Sequence, residues 1–205
     1  VKRALDVRFR PKPGRECPES LAEEEELVRR LRQGETLGEF LRAPAVAVGR
    51  IVHAAIQRSA IPGSPGYDRF IENEAFREGL VDARQRQSTI EETTELLGRL
   101  AAHELWTEIN AAEVAQREIP FTTFDLEGRV QSGKIDLLWR GGEGWKIVDF
   151  KTDRLRDEAS LTAAKNHHGK QVKRYMQSAA NILGEKPVGL LCFLDAVGEV
   201  RLVEV

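Results

Sequence analysis

The apolar residues of this chain change their period along its length. From Gly49, "GRIVHAAIQRSA" sets Ile51, Val52, Ala55 and Ile56 on one stripe at helical spacing. "IPGSPGY" then reads as a loop. Helices are expected over about 67–79 and 88–110, the second opened by the capping signature "STIEE". After that the alternation becomes that of strands. "VAQREIPFTTF", "RVQSGKIDLLWR" and "WKIVDFK" are three strands joined by the hairpin-type turns "DLEG" and "GGEG". Residues 154–168 show no clear period. "GKQVKRYMQSAANIL" returns to helix spacing through Val172, Met176, Ala179 and Leu183. "PVGLLCFLD" and "EVRLVEV" finish as two strands around a turn at Val197-Gly198. Ahead of all this, residues 1–18 read as an irregular, proline-containing arm. Residues 19–33, "ESLAEEEELVRRLRQ", read as a solvated helix with Ser20 as its cap and acids preceding bases, as the helix dipole favours. The order predicts an α/β (mixed α+β) fold: a central mixed sheet flanked by helices, with an N-terminal helical segment over 1–48 and the main domain over 49–205.

Composition narrows the classes. With 205 residues, 41% hydrophobic and 31% charged, the chain has material for one good-sized core and reads as soluble and globular. No apolar run is long enough to span a bilayer, and no signal peptide is visible, so a cytoplasmic location is expected. The first residue is Val, so a piece of a longer polypeptide is expected. Cys17 and Cys192 are the only cysteines, too few for a four-thiolate metal or iron–sulfur site. The net charge of −2 gives no global nucleic-acid signal; contact with phosphate must rest on local patches such as "KNHHGKQVKR" and "KTDRLR". Aromatic residues, 6% of the chain, are too sparse for a long base-stacking platform. Trp106, Trp139 and Trp145 are expected in core or sheet-edge packing, and His103, His167 and His168 in solvent.

The strand "WKIVDFK" carries charge where it should stay apolar. Alternation puts Asp149 and Lys151 on one face, about 6–7 Å apart. On the preceding strand, Lys134, Asp136 and Leu138 share a face. If the hairpin pairs so that the two acids match, Asp136 and Asp149 converge, and two adjacent carboxylates repel unless a cation joins them. An oxygen-rich pair suits Mg²⁺ or Mn²⁺, and an ammonium beside it suits charge developing on a phosphate. Three further spacings accompany this one: Gly49 with His53 on a helix, Gly133 with Asp136 on the second strand, and Gln171 with Tyr175 one turn apart on the later helix.

"GRIVH", "GKID", "DFK" and "QVKRY", in this order, resemble the RecB-like branch of the PD-(D/E)XK nucleases, and by pattern the C-terminal nuclease domains of AddA-type and RecB-type helicase–nucleases. "VDFKTDR" is typical of that group. The resemblance runs from about Gly49 to Val205. It implies a restriction-endonuclease-like core and a metal-dependent DNA nuclease, an exonuclease module of a helicase–nuclease system for DNA end processing and recombinational repair. Carried over residue by residue, His53, Asp136 and Asp149 are metal ligands, with the Phe150 backbone carbonyl completing a shell. Asp136, Asp149 and Lys151 are the catalytic set. Gln171 and Tyr175 support the active site or substrate, and Glu118 in "REIPF" stands where relatives often carry a glutamate. One or two Mg²⁺ or Mn²⁺ ions are implied, with no iron–sulfur cluster. The chain has no Gly-x-x-x-x-Gly-Lys-Ser/Thr loop, so it carries no ATP site of its own and a helicase motor would lie in the same longer polypeptide or on a partner. "Ile135-Asp136" replaces the literal Pro-Asp of the family name. Two other readings stay open on the residues alone: a nuclease-like module that binds DNA or docks a helicase without cutting, and an enzyme acting on another phosphate ester.

Overall fold

The computed structural model describes residues 43–124, 130–142 and 144–205. The expected helix at 19–33 with its Ser20 cap, Cys17, the "DLEG" turn and Glu143 lie outside these. Five helices and five strands are described: α1 (Ala45–Gln57), α2 (Tyr67–Arg77), α3 (Ala83–Ala102), α4 (Glu104–Ala111), β1 (Val114–Phe124), β2 (Val130–Gly141), β3 (Gly144–Leu155), α5 (Glu158–Leu183), β4 (Val188–Ala196) and β5 (Glu199–Glu204). The strands form one sheet in the order β1-β2-β3-β4-β5. β3 and β4 are parallel, and every other neighbouring pair is antiparallel. A parallel pair needs a long crossover, and α5 supplies it. This is the mixed α+β sheet expected of a restriction-endonuclease-like core. Among the described residues, no helix is long and apolar enough to cross a membrane.

The sheet's two faces follow from strand alternation. Leu137, Trp139, Val148, Phe150, Leu190, Cys192 and Leu194 point to one side, against Ile51, Val52, Leu97, Leu100 and Ile109 of α1, α3 and α4. On the other side α5 covers two smaller groups. Val172 and Met176 pack on Leu191 and Phe193, while Tyr175 and Ala179 pack near Leu138 and Ile147. Trp106 and Trp139 are buried in the larger core. Trp145 is half-buried, with the Arg140 guanidinium 5.9 Å from its ring centroid.

Local chemistry moved three helix ends from where the pattern put them. The expected helix 88–110 is two helices, and the first begins at Ala83. Asp82 caps it, accepting from the N–H groups of Arg84 (3.0 Å) and Gln85 (2.8 Å). His103 divides the pair with extended backbone (ψ 144°), and its Nδ1 accepts the Leu105 N–H at 3.1 Å. That histidine is a helix cap, not the solvated side chain expected. In the stretch without a clear period, β3 runs to Leu155 and α5 starts at Glu158, eleven residues before Gly169. Its start is a reciprocal cap: Asp157 accepts from the Ser160 N–H (2.7 Å) while Ser160 Oγ accepts from the Asp157 N–H (3.1 Å).

Candidate metal and catalytic site

The site forms where β2 and β3 part. Their ladder pairs Leu138 with Ile147 and Leu137 with Val148, and stops there. One step further along this register, Asp136 stands opposite Asp149. Alternation puts both on the face of Leu138 and Ile147, the α5 side. The backbone bond that would continue the ladder is replaced by a side chain: the Phe150 N–H donates to Asp136 Oδ2 at 2.8 Å. Asp136 therefore holds the splayed strands together and turns its other oxygen outward.

His53 arrives from the opposite side of the sheet. Gly49 allows this, because a Cβ there would lie 3.3 Å from Thr152 Oγ1, tighter than most packed contacts. Glycine lets α1 settle close to the end of β3. One turn on, His53 Nε2 donates to the Phe150 carbonyl (3.1 Å), and Nδ1 lies 3.4 Å from Asp136 Oδ1. Both ring nitrogens face oxygen, an arrangement that suits the imidazolium. Burial opposes that charge. The hydrogen bond and charge of Asp136, together with the charges of Asp149 and Glu118, outweigh burial and raise the His53 pKa.

Glu118 completes a cluster. It lies across from Asp136 on β1, between the paired positions Arg117–Leu137 and Ile119–Ile135. Its backbone is left-handed, with φ 55°, which is costly for a side chain of its size. Its carboxylate pairs with Lys134 Nζ at 2.8 Å. Donor atoms of His53, Glu118 and Asp136 all come within 4.8 Å of one another, so these three could hold a metal ion. Residue pattern alone put Glu118 on a strand and no further; no pattern announces a positive φ at a glutamate.

Asp149 is not in that set of three. It is 2% exposed, with its Oδ2 2.9 Å from Lys151 Nζ. That oxygen is fully buried, and the lysine ammonium is the partner that works against the cost of burial. Burial, then the neighbouring Asp136 charge, pushes the Asp149 pKa up to about 6, against the pull of Lys151 and His53. A buried carboxylate next to a second carboxylate and an imidazole is chemically suited to a divalent cation. The residues present fit such an ion.

On α5, Gln171 and Tyr175 complete the arrangement. Lys151 Nζ donates to Gln171 Oε1 at 3.5 Å, and Gln171 Nε2 donates to the Tyr175 hydroxyl. Burial and the Asp149 charge push Tyr175 up to about 12, so its hydroxyl keeps its proton. The Tyr175 ring meets Phe121 edge-on, centroids 5.2 Å apart. Gly133 has no room for a Cβ, which would fall 2.7 Å from the Phe121 ring. Phe121, Ser132, Gly133, Gln171, Arg174 and Tyr175 line an adjoining cleft of about 380 Å³. His168 also differs from its sequence expectation. Its side chain is only 18% exposed, with Nε2 3.4 Å from Asp153 Oδ2.

Comparison with known proteins supports a family assignment. The chain is 27% identical over 180 residues to an ATP-dependent helicase/nuclease subunit of Heliobacterium modesticaldum. That alignment covers 77% of this chain and 12% of that protein. A crystal structure of a candidate exonuclease from Eubacterium rectale shares the fold, with a TM-score of 0.51 and 17% identity. The match covers 78% of this chain and 58% of that one. The family model of the PD-(D/E)XK nuclease superfamily matches residues 13–201, and the chain belongs to that superfamily.

Proposed function

We propose that this chain is a Mg²⁺- or Mn²⁺-dependent deoxyribonuclease, the exonuclease module of a helicase–nuclease that processes DNA ends for recombinational repair in the cytoplasm. One observation carries the reading: donor atoms of His53, Glu118 and Asp136 converge within 4.8 Å of one another, beside the buried Asp149 and its Lys151 partner 2.9 Å away. Three carboxylates brought this close repel one another unless a cation joins them.

His53, Glu118, Asp136, Asp149 and the Phe150 carbonyl are the residues that would hold one or two ions. An ion bound there supplies Lewis-acid chemistry, acidifying a water and drawing charge from the phosphate under attack. The histidine nitrogen among oxygens tilts the preference toward Mn²⁺. Asp136 and Asp149 would supply carboxylate oxygens to the ion. Lys151, held by Asp149 and Gln171, presents its ammonium beside them, where it orients the attacking water and offsets charge as the phosphodiester breaks. Tyr175 stays protonated and fixes Gln171.

DNA fits the surroundings. α5 carries no acid between Glu158 and its end, yet it holds Lys165, Lys170, Lys173 and Arg174. In a chain of net charge −2, this concentrates positive charge beside the cleft, where phosphates would pass. In this reading 1–48 are an N-terminal arm and helical segment and 49–205 the nuclease domain, with α1 crossing that boundary from Ala45. The match to a small part of a protein named for both helicase and nuclease activity supports a motor in the same longer polypeptide or on a partner.

The test incubates the protein with end-labelled single- and double-stranded DNA, linear and circular, with Mg²⁺, Mn²⁺ or chelator. Ion-dependent release of nucleotides from linear DNA, with circles spared, is the expected result. Folded protein that binds DNA without cutting it under any ion would replace this reading with that of a nuclease-like docking module. Cleavage confined to other phosphate esters would replace DNA as the substrate.

A further inference from the structure

Three side chains of β3 face three of α5. Alternation puts Asp149, Lys151 and Asp153 on one face of the strand. Spacings of three and four put His168, Gln171 and Tyr175 on one stripe of the helix. Two of these rungs belong to the site already described: Tyr175 feels the Asp149 charge, and Gln171 accepts from Lys151. The third, Asp153 with His168, has no place in the proposed chemistry.

We propose that Asp153 and His168 are a positioning pair that locks α5 onto the end of β3, so that Gln171 restrains the Lys151 ammonium. Only the consequence for cleavage rests on the nuclease reading; the contact itself does not. Three observations carry it. The β3–β4 ladder loses its register between Lys151 and Arg154, so backbone pairing is irregular just beyond the lysine. The His168 ring is seated by Phe193 of β4, centroids 6.3 Å apart, so its direction is fixed by packing. The contact itself is close: His168 Nε2 lies 3.4 Å from Asp153 Oδ2.

The chemistry of the contact agrees with the geometry. Burial and the nearby Lys151 charge lower the His168 pKa. The neutral ring can then turn its Nε2–H toward the Asp153 carboxylate, a polar contact at 3.4 Å. Gln171 sits one turn further along α5. Its 3.5 Å contact with Lys151 is at the limit for a hydrogen bond, so a small shift of the helix would release a lysine whose flexible stem has many alternatives.

The experiment uses the complete chain, labelled with ¹⁵N, as wild type, Asp153→Ala, His168→Leu and His168→Gln. Leucine keeps packing against Phe193 but cannot donate; glutamine can. Asp153 is half-exposed, so its alanine variant is expected to fold even if a His168 variant does not. Two readouts are taken: the side-chain amide resonances of Gln171, and kcat and KM for DNA cleavage. Asp153→Ala and His168→Leu should both shift the Gln171 resonances and lower kcat by about 10- to 100-fold with KM little changed, as expected for misplacement of a reacting group. His168→Gln should recover most of both. Folded variants with wild-type Gln171 resonances and wild-type kcat would overturn the proposal. A wild-type chain that cuts no DNA would overturn the nuclease reading alone, with the resonances still deciding the pair.

Discussion

The two faces of the one sheet are built on different principles. Under α1, α3 and α4 the strands present an unbroken apolar surface, and Leu137, Trp139, Val148, Phe150 and Cys192 are all fully buried. Under α5 the same strands carry two small apolar groups with charged residues between them. One β3 segment serves both: Val148 and Phe150 stabilise the first face, and Asp149 and Lys151 occupy the second. Each buried large side chain on the first face contributes about 1.5–3 kcal/mol. That surplus offsets the cost of keeping carboxylates close together on the other. Stability is concentrated on one side of the sheet and most of the chemistry on the other, at a spacing of one residue, with His53 alone reaching the site from α1.

The largest test of this division is Lys151→Ala. Turnover of labelled DNA should fall by about 10²- to 10³-fold, the usual cost of removing a group that stabilises developing charge; the chain should still fold, with a melting temperature lowered at neutral pH because buried Asp149 loses its partner. A folded variant that cuts at the wild-type rate would break the division. Leu97→Ala is the mirror experiment. Leu97 is fully buried, and deletion should cost about 2–5 kcal/mol in urea unfolding without altering the ion dependence of the fraction still folded.

Asp149→Asn sharpens the comparison by reversing a sign. The folded-state pKa of Asp149 is raised to about 6, so the folded chain holds its proton more tightly than the unfolded one does. The associated stability is complete below the unfolded value of about 3.9 and is lost as pH rises through about 6. Asparagine cannot ionise. In chelator at pH 7.5, the variant should therefore be more stable than wild type by about 1–3 kcal/mol. That gain should vanish near pH 4, and Mn²⁺ should stabilise the wild type far more than the variant. Thermal melts across pH check both halves. A wild type more stable than the variant in chelator at pH 7.5 would contradict the assigned strain.

The smallest effect is expected at Gly49→Ala. Alanine adds about 1 kcal/mol of helix preference but crowds Thr152, so net stability should change by less than about 1 kcal/mol. His53 moves with the helix, and Mn²⁺ affinity by calorimetry should drop about 10-fold, as when a supporting contact of a ligand is disturbed.

Much of this was legible in the residues. The change from helical spacing to alternation placed β1, β2 and β3 to within a few residues. Alternation alone put Asp149 and Lys151 on one face and Asp136 with Leu138. The helix ends were less legible, because caps are decided by single side chains: Asp82 outcompeted Ser88 by starting the helix earlier, and His103 interrupted what the apolar stripe read as continuous. The settings of Glu118 and His168 were hidden for a different reason. One depends on a left-handed backbone and the other on the packing of a helix whose start had no periodic signal.

The sequence by itself determined which residues share a face, since alternation and the helical turn are properties of a local backbone. It also supplied the glycines at 49 and 133, where a side chain would crowd Thr152 and Phe121. Only the tertiary structure decided where β2 and β3 part, that Asp136 takes over the lost ladder bond, and that His53 and Glu118 meet Asp136 from different elements. Those outcomes depend on strand register and helix docking, which are settled by contacts between residues far apart in the chain and leave no periodic trace in it.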